Sequence, residues 1–109
     1  MDSMFRNCGS LKSIDFSFFN TEKTKIFDGM FYGCSSLKSF NFSYINTTNA
    51  ENMKSMFEGC SDLISIDASS IKASNLKDIS HFLAGCSSLS YIDLKDSNFK
   101  EIITTNSMF

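Results

Sequence analysis

The 109 residues repeat themselves every 26. "MFRNCGSLKSI" (4–14) returns as "MFYGCSSLKSF" (30–40), "MFEGCSDLISI" (56–66) and "FLAGCSSLSYI" (82–92). Cys8, Cys34, Cys60 and Cys86 keep the interval, as do Leu11, Leu37, Leu63 and Leu89, and no insertion breaks it from Met1 to Phe109. A fixed period between about 20 and 50 residues marks units stacked one on the next, each too small to bury its own apolar side. The expectation is one domain over 1–109, a solenoid of about four coils at 1–26, 27–52, 53–78 and 79–104, with 105–109 starting a fifth.

Within each coil the apolar period changes. "LKSIDF" (11–16) places Leu11, Ile14 and Phe16 at the spacing of a leucine-rich-repeat strand, and its last letters alternate as a half-buried strand does. The matching strands are "LKSFNF" (37–42), "LISIDA" (63–68) and "LSYIDL" (89–94). Polar corners follow at "FNTEK" (19–23), "INTTN" (45–49), "IKASN" (71–75) and "SNFKE" (97–101), where Asn and Thr side chains suit turns.

The return leg carries Thr24, Phe27, Met30 and Phe31, then Ala50, Met53, Met56 and Phe57, then Leu76, Ile79, Phe82 and Leu83. That spacing predicts a brief extended segment entering one helical turn. The column Asp2, Asp28, Lys54, Ser80 and Asn106 supplies N-caps. The column Asn7, Gly33, Gly59 and Gly85 supplies residues that tolerate the left-handed conformation ending a helix. The fold class expected is therefore α/β, a leucine-rich-repeat solenoid whose coil is strand, corner, extended leg and helical turn.

Composition narrows the function. The 42% apolar share is enough for a core, and a net charge of -2 with mixed signs lacks the basic stripe that nucleic acid requires. No apolar run reaches the length of about 18 residues that spans a membrane. The first residues, "MDSMFRNCGS", show no basic start or apolar stretch of a signal peptide. Pro and Trp are absent, so turns fall to Asn, Ser, Asp and Thr.

The string M-F-x-G-C-S-S-L-x-x-(I/L)-D-(L/F)-S, followed by F-N-T and a spaced Met–Met-Phe, resembles the BspA-like leucine-rich repeats. The nearest subgroup is that of surface proteins with a mycoplasma-lipoprotein-associated domain of unknown function. "MFYGCSSLKSFNFSYINTTNAENMKSMF" (30–57) carries the resemblance best. It implies secreted or cell-surface proteins engaged in adhesion and protein binding. The fourth coil departs from the pattern with Phe82-Leu83 for Met-Phe, and with Ser97 where Phe19, Ile45 and Ile71 stand.

Each conspicuous residue has a plain reading beside a functional one. The four cysteines share one inward environment and no C-x-x-C or Cys/His cluster accompanies them, which favours free buried thiols over disulfides or zinc. Asp15, Asn41, Asp67 and Asp93 form an outward column that is either a mildly acidic binding face for a cation or basic partner, or a solvated strand surface. His81, the single histidine, has no patterned nucleophile beside it, and catalysis needs convergent partners. The sequons at Asn41 and Asn46 are explained by a chain rich in Asn, Ser and Thr. Met4, Phe5, Met30, Phe31, Met56 and Phe57 read as core.

The leading expectation is a non-catalytic interaction or adhesion module without cofactor or metal. Its contact face comprises Lys12, Ser13, Asp15, Lys38, Ser39, Asn41, Ile64, Ser65, Asp67, Ser90, Tyr91 and Asp93, with Tyr91 and Ile64 as anchors. The partner, a protein or a glycan, and the cell-surface or secreted location follow from the resemblance alone. The alternative is a spacer, or a segment that self-assembles end to end without a specific ligand. The chain is also expected to be a piece of a longer array, since neither Met1 nor "NSMF" (106–109) carries a polar capping segment.

Overall fold

A computed structural model describes residues 2–16 and 19–95. The sequence period becomes a hydrogen-bonded register. Three parallel strands, β1 (Ser39–Asn41), β2 (Ser65–Asp67) and β3 (Tyr91–Asp93), lie in chain order in one sheet. Ser39 pairs with Ser65 and Ser65 with Tyr91, and Phe40, Ile66 and Ile92 align in the same way. Identical steps along the chain thus put like beside like. Period-2 alternation then sorts the faces. Phe40 and Ile66 are buried, while Ser39 and Tyr91 face water.

Asx turns end the strands. The Asn41 side-chain oxygen accepts the Ser43 N–H at 2.9 Å, Asp67 accepts Ser69 at 3.0 Å and Asp93 accepts Lys95 at 2.9 Å. Asn and Asp do this because their short side chains reach the backbone two residues on. After Asn41 a single 3-10 turn forms over Phe42–Tyr44. At the next corner the buried Thr21 hydroxyl donates to the Asn46 carbonyl (3.0 Å) and accepts the Asn46 N–H (2.7 Å), tying neighbouring units together. Glu51 lies between Lys25 (3.3 Å) and Lys77 (3.7 Å), a surface arrangement of small energetic weight.

The core is aromatic. Phe5, Phe31 and Phe57 stack face to face at 5.6 and 5.4 Å, and Phe40 meets Phe31, Phe42 and Phe57 at 5.0–5.3 Å. Met30, Met53, Met56, Leu63 and Ile66 complete it without exposure. Met4, by contrast, is 46% exposed.

The expected α/β leucine-rich-repeat solenoid of four coils is not what forms. The molecule is a small compact block of 32 × 31 × 21 Å with three short strands and no α-helix among the described residues. The segment 11–16 is not a strand, and only its Phe16 side chain is fully buried. The corner expected over 97–101, with Ser97, and the segment 105–109 lie outside the described residues.

The absent helical turn has a backbone cause. Along 27–34, amides alternate between two destinations. The N–H groups of Met30, Tyr32 and Cys34 close turns within their own unit, onto Phe27, Gly29 and Phe31 at 3.0–3.2 Å. Those of Phe27, Gly29, Phe31 and Gly33 donate instead to Asn52, Lys54, Met56 and Glu58 of the next unit at 2.7–2.8 Å. A right-handed helix would claim both sets. It is also blocked by left-handed residues inside the turn: Ser3, Gly29, Ser55 and His81 share one register with φ of 53–59°, and Asn7, Gly33, Gly59 and Gly85 share another with φ of 60–78°. The second column is left-handed as its letters suggest, but it closes a turn rather than a helix. The cap column Asp28 and Ser80 therefore opens a ribbon of turns.

Candidate binding face

The sheet register assembles the outward letters into rows. Ser39, Ser65 and Tyr91 make one row, and Asn41, Asp67 and Asp93 make the next. Between them lies a cleft of about 240 Å³, open to solvent and lined by Ser39, Asn41, Ser65, Asp67 and Tyr91 together with Tyr44, Phe40 and Ile66. Tyr44 and Tyr91 are 54% and 60% exposed, so two aromatic rings border a floor of mixed polar and apolar groups. Tyr44 is held in place from behind: its ring stacks on Phe16 (6.1 Å, 18° between planes) and meets Phe40 edge-on (5.9 Å, 82°).

On the other side of Tyr44 is a narrower crevice of about 110 Å³, bounded by Lys12, Ser13, Ile14 and Phe16 on one wall and Leu37, Ser39 and Phe40 on the other. It exists because 11–16 does not zip onto β1 as a fourth strand.

The twelve residues expected on this face divide accordingly. Ser39, Asn41, Ser65, Asp67 and Tyr91 surround the cleft, and Lys12 and Ser13 line the crevice. Asp15, Lys38, Ile64, Ser90 and Asp93 line neither, although Ile64 is 48% exposed. Tyr44 is absent from the sequence reading. Its column reads Phe18, Tyr44, Ser70 and Asp96, an aromatic lost in a column that turns polar.

The acidic column has a structural duty as well. One oxygen of Asp67 takes both the Ser69 hydroxyl (2.6 Å) and the Ser69 N–H (3.0 Å), which holds its carboxyl below the usual carboxylate range. The spacing Asn-x-Ser or Asp-x-Ser was the available signal. The same geometry accounts for the sequons, since Asn41 and Asn46 accept from Ser43 and Thr48.

The remaining candidates lie elsewhere. All four cysteines are free; Cys34 and Cys60 are buried and Cys86 half-buried, each with its thiol on a carbonyl of the preceding unit, but Cys8 is exposed, contrary to the uniform burial expected. His81 is exposed in the left-handed column of the return leg. Among the described residues no three His, Cys, Asp or Glu side chains are placed to hold a metal ion. No helix among them is long and apolar enough to cross a membrane.

No curated protein and no solved structure matches the chain. A family model does match, over residues 1–109, and its description is "Mycoplasma protein of unknown function, DUF285". It is not the model of the BspA-like leucine-rich repeats that the motif resembles, and the fold likewise lacks a leucine-rich-repeat solenoid. Over its whole length, the chain belongs to the DUF285 family of Mycoplasma proteins of unknown function.

Proposed function

We propose that this protein is a non-catalytic interaction module that holds a protein or glycan segment on the face of its sheet. The observation that carries the reading is the cleft between Tyr44 and Tyr91. Exposed tyrosines offer large contact area at little entropic cost, and they are over-represented among residues that dominate binding. The polar groups of the cleft add hydrogen-bonding capacity: the Asn41 amide N–H₂ and the second Asp67 oxygen are not spent on the Asx turns. An aromatic border with an amide and a carboxylate beneath suits a hydroxyl-bearing sugar ring or a peptide backbone equally.

The test is binding to an array of immobilised glycans and to a displayed peptide library, with Tyr44→Ala and Tyr91→Ala beside the parent chain. Each variant should lose the binding that the parent shows while still folding cooperatively in urea, with Tyr91→Ala keeping the parent's midpoint and Tyr44→Ala lowering it modestly through its lost Phe16 and Phe40 contacts. Variants that bind as well as the parent would remove the cleft from consideration.

A further inference from the structure

The chain carries three tyrosines and a single arginine, and that arginine has settled on one of them. The Arg6 guanidinium lies over the Tyr32 ring, 4.0 Å from its centre. A cation rests there because the face of an aromatic ring is its negative side. Tyr44 and Tyr91 are the other two, and no cation of the described residues covers either ring. Phe16 stacks on Tyr44, yet that ring stays more than half exposed and borders the cleft, as does the ring of Tyr91.

The same cleft holds a carboxylate without a counterion. Asp67 is its one charged lining residue among those described, and neither ion pair among them involves it. The Ser69 hydroxyl and N–H fix one oxygen and lower the pKa, so the group is ionised at neutral pH. Its other oxygen is not spent on that turn, and the hydroxyls of Ser39 and Ser65 line the same space. Buried Phe40 and Ile66 also line it, an apolar surface suited to the methylene stem of a long charged side chain.

Aromatic faces, one fixed negative charge and an apolar floor describe a site for an organic cation. A guanidinium meets all three conditions. It is flat and stacks on rings, it is weakly hydrated and sheds water readily, and its fork of donors suits a carboxylate with hydroxyls beside it. An ammonium is a compact, strongly hydrated point charge without a flat face. A neutral sugar leaves the Asp67 charge unanswered.

We infer, taking this cleft as the binding site proposed above, that its occupant is an arginine side chain of a partner protein, with the guanidinium on a tyrosine ring and against the unspent oxygen of Asp67. The Asn41 amide N–H₂ is the donor that the cleft offers to a backbone carbonyl of the same segment.

The probe is a peptide of glycine and serine around one central arginine, titrated into the full chain while NMR follows the Tyr44 and Tyr91 ring protons. Both rings should shift and saturate. Replacing the arginine by citrulline, its uncharged isostere, should weaken binding at least about tenfold, as loss of a charged hydrogen bond does. Lysine should fall between the two. Asp67→Asn, which keeps an Asx turn of the Asn41 kind, should bring the arginine peptide down to the citrulline level and leave the citrulline peptide unchanged. Citrulline or lysine binding as tightly as arginine overturns the assignment, as does an Asp67→Asn chain that binds arginine like the parent. Rings that ignore the arginine peptide overturn it too, and where glycans or arginine-free peptides still bind through the tyrosines, the cleft itself stands. Arginine binding that survives in both Tyr44→Ala and Tyr91→Ala, by contrast, removes the cleft.

Discussion

The Cys60 thiol donates to the Phe31 carbonyl of the preceding unit at 3.1 Å, and the Cys34 N–H occupies the other lone pair of that oxygen at 3.0 Å. One carbonyl thus fastens its own unit and the next. Burial pushes the thiols of Cys34 and Cys86 up to about 11, and that of Cys60 higher still. The thiolate is the reactive form, so buried thiols here are inert. Titration near neutral pH should find Cys8 reacting fast, Cys86 slowly, and Cys34 and Cys60 only on unfolding. Four thiols should appear after non-reducing denaturation; missing ones would reveal disulfides.

Leu37 and Leu63 fill the core beneath the sheet, while Ser39 stands on its outer face. Leu37→Ala and Leu63→Ala should each cost about 2–5 kcal/mol, the usual loss for a buried leucine truncated to alanine. Ser39→Ala should stay within about 0.5 kcal/mol. Urea denaturation of the three variants decides it, and equal losses would show that the strand faces are reversed.

Gly59 has φ of 78°, and an added Cβ would lie 3.5 Å from the Gly33 Cα. Space therefore permits the methyl, and the backbone does not. Gly59→Ala should cost about 1–2 kcal/mol, the penalty of a left-handed alanine. Gly9→Ala, with Ser35 Oγ 3.5 Å from the new Cβ and no positive φ, should change stability by less than about 0.5 kcal/mol. Gly33→Ala, also left-handed at φ of 73°, should cost about as much as Gly59→Ala, because its Cβ meets the rotatable end of the exposed Asn7 side chain, which can swing aside. Thermal melts of the three isolate backbone strain, present at Gly33 and Gly59 and absent at Gly9.

Two aspartates should set the acid limb of stability. Hydrogen bonds from Ser69, the hydroxyl before the N–H, lower the pKa of Asp67 from its ordinary 3.8, and those from Ser80 lower that of Asp78. A carboxyl held lower in the folded state contributes stability that is present above the unfolded value and lost as pH falls through the folded one. The loss should thus begin below about pH 4. Asp28 has the opposite sign: burial raises its pKa, so its contribution is present on the acid side and lost as pH rises through the raised value. Asp67→Asn keeps the turn, as Asn41 does, and should flatten the acid limb; Asp28→Asn should gain stability at neutral pH. Urea midpoints against pH would expose the wrong sign at either site.

What the sequence disclosed was what one column of letters determines by itself. The inward positions Leu37, Phe40, Leu63 and Ile66 and the outward Ser39 and Tyr91 follow from period-2 alternation, and Gly33 and Gly59 announced their left-handed backbone. The sequence does not separate a helical turn from a ribbon of turns, because cap letters and turn letters are the same residues and only the partner of each amide tells the two apart. Ser3, Ser55 and His81 gave no sign of φ above 50°, being imposed by neighbours rather than by their own preference. On the candidate face, Tyr44 escaped notice because its position depends on Phe16, a residue from another unit. The failure of 11–16 to become a strand is equally a matter of assembly.

Alternating amides also give this molecule two clocks. The Met30, Tyr32 and Cys34 hydrogens exchange with solvent when a local turn opens, whereas those of Phe27, Gly29, Phe31 and Gly33 exchange only when one unit parts from the next. Deuterium uptake read at neighbouring residues would therefore report separately on bending within a unit and on separation between units. A ligand spanning β1 to β3 should slow the second set and leave the first alone, because it bridges units without touching the turns.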